Sequence, residues 1–501
     1  MLVDYEYRSK KLIVSYIDEF GNIKLKYHTW DNPTKFVITD EHDSQKSGKY
    51  VTWDGKSVKE IYTRHPNRYS IFDFMDDLPE DEKKTIFDYK EPNIFFIDIE
   101  NEILDKKPEP EKADSAIQTI SIVNKDKILV LGTKKFSKQN SESMNDDINN
   151  HFEGYDTDYK FMYRHYETEY DMMLNFFKLM VPKMSVLTGW NFVHYDWVFL
   201  VNRARKLGID PTIASFTGVL RESWLDIDHS ELPAHRIIVD YMELYDKWDT
   251  SVKVKESSSL NFVSENILGI KKINYEGNLK YLYANDYYKF VMYNAIDSAL
   301  VQQIHYKMKY IDILYGIATL SKIKVTDAFN TLPITEGILR EKMRDEKNVV
   351  FVKDDTKGES SSDMMVKGGW VKDPIVGMNT WTCCFDFASL YPTTMRQFNI
   401  SADSYKGQVI KQRGEKIDQI INRLRGGENI ESVFNNHKVK LQKDDIVTLN
   451  GSVFKNEDGV VKRVMADIYE QRKGFKRQMM DANEELKEMQ NELEKLKKEM
   501  G

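Results

Sequence analysis

Two acidic residues, Asp98 and Glu100, follow a short apolar run and are separated by one residue. The run, Ile94 to Ile97, follows Pro92 and predicts a strand that is buried on both faces in an α/β sheet. Side chains at positions i and i+2 of a strand share a face, so the two carboxylates should lie side by side. Such a pair needs a cation between its charges, and its oxygen ligands suit Mg²⁺ or Mn²⁺. For this stretch alone, a strand that ends in solvated acids is the alternative.

A further acid lies in the stretch Ser185 to Leu200. This stretch predicts a short strand up to Gly189, a turn, and a helix that continues to about Leu207. Asp196 falls near the start of that helix, where the macrodipole favours a carboxylate. Because of this dipole, acids are common in the first turn of helices that have no catalytic function. Asp196 by itself is therefore weak evidence for a catalytic site.

Another acid, Asp297, lies in the helix predicted around Phe290 to Ile304. Tyr293 and Asp297 are four residues apart and therefore share one face of that helix. An aspartate in a largely apolar helix is costly unless it is paired or bound to a metal ion. A tyrosine one turn away could orient a water molecule for attack.

These motifs occur in a region where strands and helices alternate, which predicts an α/β domain. Their order resembles that of the DEDD-type 3′→5′ proofreading exonucleases, in the variety with a tyrosine in the third motif. The matching pieces are Asp-x-Glu at Asp98 and Glu100, Asn-x-x-x-Tyr-Asp from Asn191 to Asp196, and Tyr-x-x-x-Asp from Tyr293 to Asp297.

The resemblance implies phosphodiester hydrolysis with two divalent ions, Mg²⁺ or Mn²⁺, which activate water and stabilise the attacking and leaving oxygens. Asp98 would bridge both ions, Glu100 and Asp297 would complete the first, and Asp196 would hold the second. Tyr293 would orient the nucleophilic water alongside Glu100. The substrate would be a frayed single-stranded 3′ end, since a paired terminus could not reach between the acids.

Three residues near these motifs are given other roles. Phe192 and Tyr195 are candidates for lining the path of the single strand, although core packing is the more frequent role for each. Asp240, in the strand-like run Ile237 to Tyr241, is assigned to structure.

The chain after residue 355 resembles a second set of motifs, those of family B DNA polymerases. Gly368 and Gly369 resemble the Tyr-x-Gly-Gly element that approaches a phosphate strand, although Val366 stands in place of the tyrosine. An apolar strand should then end at Asp386, followed by a turn and a helix that carries Arg396. Asp-Phe-Ala-Ser-Leu-Tyr-Pro is very close to motif A, in which the aspartate binds the catalytic ions, the next segment holds the nucleoside triphosphate, and the tyrosine blocks a 2′-hydroxyl. These roles carry over to Asp386, Ser389, Leu390 and Tyr391.

The last segment, Gly459 to Gly501, is predicted to be one long helix. Arg472 and Lys476 are four residues apart on one face and match the fingers-domain cations that grip the triphosphate. A solvated basic face is the alternative. Apolar residues then recur at alternating spacings of three and four, an a/d seam that needs a partner helix. The seam consists of Met479, Ala482, Leu486, Met489, Leu493, Leu496 and Met500.

Two elements that a family B polymerase needs do not occur in the sequence. These are a second fingers helix with a Lys-x-x-x-Asn-Ser-x-Tyr-Gly pattern and an Asp-Thr-Asp turn that supplies the second metal-binding carboxylate. We therefore expect the N-terminal part of a split polymerase of the T-even-type phage kind; a fragment cut from a longer chain would lack the same two elements. A complementary C-terminal chain would pair along the helix Met479 to Met500. The alternatives are a stand-alone 3′→5′ exonuclease with a vestigial palm and a non-catalytic DNA-binding scaffold.

Length and composition set the frame around these motifs. A chain of 501 residues should divide into about three or four domains. We expect a β-rich N-terminal domain (1–90), a DEDD exonuclease domain of RNase H-like fold inserted into it (91–310), a return segment (311–355), a partial palm with motif A (356–458) and the first fingers helix (459–501). The fold class is α/β multidomain.

Three local features are expected outside the site. Leu12 to Asp18 and Ile23 to His28 predict strands of a hairpin that turns at Phe20-Gly21-Asn22. The acidic stretch Asp76 to Lys84 is expected to be a connector, and the polar segment Ser137 to Gly154 is expected to be exposed.

The remaining composition excludes little. The net charge of −8 gives no global basic surface for nucleic acid, although local phosphate contacts remain compatible with it. The neighbouring Cys383 and Cys384 are the only cysteines, which favours a reducing compartment over a disulfide framework. Neither a membrane span nor a signal peptide is expected. The resemblance implies the cytoplasm of an infected bacterial host, with primer-template DNA and deoxynucleoside triphosphates as partners.

Overall fold

The computed structural model describes residues 1–103, 108–222, 231–249, 256–275, 277–349, 371–378, 380–385, 389–409, 417–428, 439–448 and 451–500. The chain divides into two compact units. Unit 1 consists of Met1–Asn32 and Ile71–Gly337, and unit 2 of Pro33–Ser70 and Ile338–Gly501. This division differs from the five segments expected from the sequence, whose boundaries stay predictions.

The strands are short and most of them lie in the first half of the chain. In chain order they are β1 (Leu2–Arg8), β2 (Lys11–Ile17), β3 (Ile23–Thr29), β4 (Thr34–Ile38), β5 (Val51–Thr52), β6 (Val58–Tyr62), β7 (Ile94–Asn101), β8 (Ile117–Asn124), β9 (Lys127–Gly132), β10 (Lys160–His165), β11 (Val186–Gly189), β12 (Leu220–Glu222), β13 (Glu231–Pro233), β14 (Ile237–Asp240), β15 (Asn348–Val349), β16 (Tyr405–Gln408), β17 (Ile446–Val447) and β18 (Ser452–Phe454).

The helices differ widely in length, and the longest is the last. They are α1 (Arg68–Asp76), α2 (Glu80–Phe87), α3 (Lys138–His151), α4 (Glu169–Asn175), α5 (Asp196–Lys206), α6 (Tyr241–Trp248), α7 (Leu260–Leu268), α8 (Leu279–Asn285), α9 (Tyr287–Met308), α10 (Tyr310–Ser321), α11 (Thr331–Asp345), α12 (Leu390–Gln397), α13 (Ile417–Arg425) and α14 (Val460–Met500). A π-helical turn (Phe176–Met180) follows α4, and 3₁₀ turns lie at Val181–Lys183, Pro211–Ala214 and Val325–Phe329.

Unit 1 is built around a six-stranded mixed sheet in the order β10-β9-β8-β7-β11-β14. β7, β8 and β9 are antiparallel neighbours, whereas β10, β11 and β14 run parallel to the strands beside them. Parallel neighbours require crossover connections, and helices α3, α4 and α5 lie within those connections. The strand that carries the first two acids, β7, therefore lies in the interior of the sheet.

The two faces of this sheet pack against different apolar clusters, because side chains alternate along each strand. Phe96 belongs to a cluster that contains Ile296 of α9. Its neighbour Ile97 belongs to a second cluster on the other face, which contains Trp197 of α5. Both helices are thereby fixed against β7, one on each side.

The N-terminal lobe contains the predicted hairpin but also helices that were not expected. β2 and β3 pair around the turn at Gly21, as the sequence predicts. The segment Asp76 to Lys84 is not a simple connector, since it contains the end of α1 and most of α2. Ile86 and Phe87 of α2 are buried in a cluster with residues of β1 and β2. Only these two residues at the end of a charged helix are buried in the core, so the acidic composition of the segment did not indicate a packed helix.

The polar segment Ser137 to Gly154 is a helix rather than an exposed loop. The Ser137 hydroxyl accepts a hydrogen bond of 3.0 Å from the backbone N–H of Asn140, which caps α3. Met144 and Ile148, one turn apart, are fully buried in the core. This spacing of four residues was the signal in an otherwise polar run.

Unit 2 contains small sheets and the long helix α14. β4 pairs with β6, and β5 pairs with β15, so the chain after α11 returns to an early segment. The buried side-chain amide of Asn399 donates hydrogen bonds to the carbonyls of Lys455 (2.6 Å) and Glu457 (2.7 Å), and its oxygen accepts one from Gly459 N–H (2.9 Å). These bonds fix the start of α14 beside the end of α12.

The strand predicted before Asp386 is not formed. In the described ranges 371–378 and 380–385 no residue belongs to a strand, and Cys383, Cys384 and Phe385 are exposed. A strand needs a neighbour for its backbone N–H and C=O groups, and none of the described strands pairs with this run. The expected helix after the motif is present as α12, which carries Arg396.

In the described part of the chain, no helix is both long enough and apolar enough to cross a bilayer.

Candidate active site

Three acids from two elements converge beside the central strand. Asp98 and Glu100 have the same parity on β7 as Phe96, so they face α9. Asp297 lies on α9 and is buried beside them. One ligand atom from each of Asp98, Glu100 and Asp297 lies within 4.8 Å of the other two, and this is the spacing of a possible metal-binding group.

Asp196 lies next to this group but is held differently. It is the first residue of α5, and its Oδ1 accepts a hydrogen bond of 3.1 Å from the backbone N–H of Ile99. Ile99 is the residue between Asp98 and Glu100, so the bond joins the second motif directly to the strand of the first. The charge of Asp98 contributes, after burial, to a raised pKa of Asp196.

The turn that leads into α5 is positioned by Asp240 at the end of β14. The two carboxylate oxygens of Asp240 accept hydrogen bonds from the N–H groups of Asn191 (3.1 Å), Val193 (3.0 Å) and Met242 (2.9 Å). Asn191 has a positive φ of 60°, an uncommon backbone conformation that these bonds help to hold. Asp240 therefore orients the loop that presents Asp196, in keeping with a structural role.

At Gly189 the backbone of β11 lies close to that of β7. A Cβ atom at this position would overlap the carbonyl oxygen of Ile97 and would crowd the ring of Phe192. Glycine is thus required here by space. The close approach brings the start of the Asp196 loop against the acid-bearing strand.

The electrostatics of the acid group favour a bound cation. Burial, and then the charge of Asp297, raises the pKa of Asp98 to about 7. Burial and the charges of Asp98 and Asp297 raise the pKa of Glu100 well above its ordinary value. The side-chain amide of Asn294 donates a hydrogen bond of 2.6 Å to Asp98, and this lowers the cost only in part. Oδ1 of Asp297 is buried and has no hydrogen-bond partner in the described part of the chain. Hard oxygen ligands with repelling charges and a free lone pair fit Mg²⁺ or Mn²⁺.

Lys272 is a member of the site that sequence reasoning missed. Its ammonium nitrogen lies 2.5 Å from Oδ2 of Asp297 and 3.1 Å from the hydroxyl of Tyr293. It follows α7 in a pair with Lys271, which forms an ion pair with Glu265 at the surface. No sequence pattern distinguishes Lys271 from Lys272. Only the path of the chain after α7 places Lys272 inside the site and Lys271 at the surface.

Among the described aromatic residues near the acids, one packs in the core and the others lie at the site. Phe192 is fully buried in the cluster behind the sheet, so it lines no open path. Tyr195 is half-buried, and its hydroxyl accepts a hydrogen bond of 3.2 Å from the amide of Asn101. The ammonium of Lys272 joins the hydroxyl of Tyr293 to the carboxylate of Asp297. The ring of Tyr275 packs edge-on against the ring of Tyr293, with 5.3 Å between the ring centroids.

The residues assigned to a polymerase site lie in unit 2 and are only partly described. Gly368, Gly369 and Asp386 are outside the described residues. Ser389, Leu390 and Tyr391 lie at the start of α12, and the side chain of Tyr391 is 75% exposed.

Helices α12 and α14 pack together in unit 2. The guanidinium of Arg396 lies 5.4 Å from the ring centre of Tyr469, three residues before Arg472. Arg472 and Lys476 are exposed on α14. The structure therefore places the triphosphate-gripping candidates on the helix that packs against the motif A helix.

The seam on α14 is exposed. Met479, Leu486, Met489, Leu493 and Leu496 have side chains between 49% and 62% exposed. The side chain of Met500 is outside the described set. An apolar stripe of this length on one helix is unusual for a surface that faces water.

Comparisons with known proteins match both halves of the chain. Residues 47–239 match the family model described as DNA polymerase family B, exonuclease domain, and residues 333–497 match the model described as DNA polymerase family B. The first range includes Asp98, Glu100 and Asp196, whereas Asp297 lies beyond it.

Relatives with curated names include polymerases of phages and archaea. The DNA-directed DNA polymerase of Escherichia phage RB69 is 25% identical over 332 residues, which are 64% of this chain and 34% of that protein. The corresponding enzyme of Enterobacteria phage T4 is 23% identical over 326 residues, with the same shares. DNA polymerase 1 of Saccharolobus solfataricus is 24% identical over 402 residues, 75% of this chain and 42% of that protein. The chain spans about a third of the length of the phage relatives it matches. With both family models matched in this order, the chain belongs to the family B DNA polymerases and carries their exonuclease domain.

Proposed function

We propose that this chain is a 3′→5′ exodeoxyribonuclease that also supplies motif A and the first fingers helix to a family B DNA polymerase. The convergence of Asp98, Glu100 and Asp297 within 4.8 Å carries the proposal for the nuclease. The six-stranded sheet that holds these acids is, in this proposal, the RNase H-like exonuclease domain inserted into the N-terminal domain.

The nuclease site would hold two divalent cations. Asp98, Glu100, Asp297 and Asp196 are the ligands, and bound Mg²⁺ or Mn²⁺ would supply an activated water and stabilise charge on the phosphoryl oxygens. Asp98 and Asp196 are fixed relative to each other through the Ile99 N–H, which sets the distance between the ligands. Asn294 holds the carboxylate of Asp98 in one orientation.

Tyr293 and Lys272 would act on the water and the substrate. The hydroxyl of Tyr293 is held by the ammonium of Lys272, so it is oriented before substrate binds. Lys272 also balances the charge of Asp297 and is positioned to meet an anionic phosphate. The substrate is the single-stranded 3′ end of a primer, because a buried group of acids admits a separated strand more readily than a duplex.

The polymerase site would be shared with further residues. Asp386, Ser389, Leu390 and Tyr391 would contribute a metal ligand and the nucleotide pocket, Arg472 and Lys476 would contact the triphosphate, and Gly368 and Gly369 would contact DNA. We infer that a complementary chain provides the second carboxylate and the second fingers helix. The exposed seam from Met479 to Leu496 supports this, because a second apolar helix would bury it. The expected place of action is the cytoplasm of an infected bacterium.

One experiment tests both activities. The chain is incubated with a 5′-labelled primer-template, Mg²⁺ and the four deoxynucleoside triphosphates, with and without a polypeptide that carries the two missing elements. The chain alone should shorten the primer from its 3′ end and should extend it only with the second polypeptide. Extension by the chain alone refutes the shared site, and no gain on addition favours a stand-alone nuclease.

Two variants serve as controls for this experiment. Asp98→Asn with Glu100→Gln should abolish shortening and leave extension by the mixture. Leu486→Lys with Leu493→Lys should abolish extension and leave shortening, whereas Lys487→Ala, off the seam of the same helix, should change neither. If the Asp98 and Glu100 variant still degrades primer, the proposed nuclease site is wrong.

A further inference from the structure

A groove on unit 1 lies on the face of the sheet opposite the acids. Its floor is a row across neighbouring strands, in which Ile122 of β8 lies opposite Leu129 of β9 and Leu129 lies opposite Met162 of β10. Ile122 also lies opposite Ile97 of β7. Because side chains alternate along a strand, Ile97 and this row lie on the face of the sheet that is opposite to Asp98. We call this feature the methionine groove.

One side of the methionine groove is formed by the turns that follow α4. The π-helical turn contributes Leu179 and Met180, and Met184 follows the 3₁₀ turn, while Leu129 of β9 and Met162 of β10 line the floor. Met162 is 44% exposed and Leu179 is 50% exposed. The groove has a volume of about 370 Å³, enough for a few apolar side chains of a ligand.

Cations surround this apolar floor. Lys127, Arg164 and Lys183 line the groove, and no acidic residue of the described chain does. Within the described residues none of these three cations is in an ion pair. The nearest acid in sequence, Asp126, is bound to Lys160 at 2.7 Å. An apolar floor with three free positive charges around it has the chemistry of a site for a negatively charged, partly apolar ligand.

We propose that the methionine groove docks an acidic amphipathic segment of a partner protein. Leucine or phenylalanine side chains of that segment would occupy the floor, where flexible thioethers adapt to their shape. Its aspartates and glutamates would pair with Lys127, Arg164 and Lys183. A nucleic acid strand fits less well, because its bases stack on exposed aromatic rings, and Phe95, the one aromatic residue among the described residues that line the groove, is half-buried.

The test measures binding of defined probes to the full chain by fluorescence anisotropy. The probes are a fluorescein-labelled peptide of about 12 residues that combines Leu and Phe with Asp and Glu, the same peptide with Lys in place of the acids, and an oligothymidylate of similar length. We expect the acidic peptide to bind with a dissociation constant of about 10–100 μM, weakening with salt, and to compete poorly with oligothymidylate.

Variants locate the binding. Leu179→Asp and, separately, Arg164→Glu with Lys183→Glu should each weaken the acidic peptide about tenfold or more. Leu320→Asp and Lys280→Glu are matched exposed positions elsewhere on unit 1 and should leave binding unchanged. Primer degradation should be the same in all four variants, which shows that each is folded.

Three outcomes overturn the proposal. They are equal or tighter binding of the basic peptide, no measurable binding of the acidic peptide, and binding that the groove variants leave intact. Tighter binding of oligothymidylate that the same variants abolish would instead assign the groove to nucleic acid.

Discussion

Lys272 and Asp297 form an ion pair, with 2.5 Å between the ammonium nitrogen and Oδ2, inside the group of acids that would bind metal. Burial is the largest single influence and lowers the pKa of Lys272, but the charges of Asp297, Tyr293 and Asp98 and the hydrogen bond to Asp297 together raise it, so the ammonium stays charged. The site thus contains one positive charge, that of Lys272, beside at least three buried carboxylates. The excess of negative charge makes the site sensitive to the loss of Lys272 and to the removal of a carboxylate.

Replacing Lys272 by methionine should reduce primer degradation about tenfold to a hundredfold, because Tyr293 loses its hydrogen-bond donor and the phosphate loses a cation. In the absence of divalent ions the melting temperature should also fall, since the acids then repel each other without compensation. Added Mg²⁺ or Mn²⁺ should restore stability more in the variant than in the parent chain. Melting temperature by calorimetry and gel-based degradation are the two measurements.

Lys271→Met is the matched control for that variant, because the neighbouring Lys271 pairs with Glu265 at the surface. It should leave both the degradation rate and the metal response unchanged. Equal effects of the two substitutions would mean that Lys272 acts only through general charge.

Replacing Asp98 by asparagine should abolish degradation and yet stabilise the metal-free chain by on the order of 1 kcal/mol at pH 7.5. The reason is that a buried carboxyl with a pKa raised to about 7 costs stability once the pH exceeds its unfolded value. Unfolding by urea in the presence of a chelator measures the change. Asp126→Asn, a surface acid paired with Lys160, should not stabilise. A destabilised Asp98→Asn chain would show that the acids are not in mutual repulsion.

Replacing Asp240 by alanine should disorder the turn from Gly189 to Tyr195 and lower the degradation rate through Asp196, although Asp240 itself touches no substrate. Three backbone N–H groups lose their acceptor, which should cost about 1–3 kcal/mol of stability. Asp240→Asn keeps one acceptor oxygen and should be intermediate. The diagnostic reading is the Mn²⁺ concentration that gives half-maximal rate, which should rise. If the stability fell but this Mn²⁺ concentration stayed the same, Asp240 would contribute to folding alone.

His305 should set part of the acid sensitivity of unit 1. Burial lowers the pKa of this histidine to about 3, so the folded chain keeps it neutral while the unfolded chain protonates it near pH 6.5. The contribution to stability is therefore lost as the pH falls from about 6.5 towards 3, and it amounts to about 2 kcal/mol at pH 5. Above pH 7 the effect is absent.

The corresponding variant is His305→Gln, which should lose less stability than the parent chain between pH 7 and pH 5. The exposed His42→Gln should follow the parent chain. Melting temperatures across this range measure both, and parallel curves for His305→Gln and the parent would contradict the assignment.

The parts of the structure that the sequence predicted are those with a local pattern. The run Ile94 to Ile97, the alternation that places Asp98 and Glu100 on one face, and the helical spacing of Tyr293 and Asp297 are each contained in a few neighbouring residues. The helices α2 and α3 were missed because their buried residues are few among many charges. The strand before Asp386 was predicted wrongly, because a strand depends on neighbours that local spacing does not reveal.

The proposed nuclease site could be anticipated only as a set of acids. Which residues complete it depends on contacts between distant segments, and these have no pattern along the chain. Lys272 comes to Asp297 from the loop after α7, and Asp240 reaches the Asp196 turn from a strand about fifty residues away. Asp240 was assigned to structure from its strand alone, whereas the turn that it holds became visible only in three dimensions.

The space at Gly189 limits how this protein can be altered. Because the Ile97 carbonyl fills the volume where a side chain would begin, even one methyl group must push β11 away from β7. The loop that leads to Asp196 begins at the end of that strand, whereas Asp98 lies on β7, so the distance between the carboxylates of Asp98 and Asp196 would widen and the sheet would lose stability. A single added carbon would thus act as a spacer between two of the acids that are proposed to bind metal.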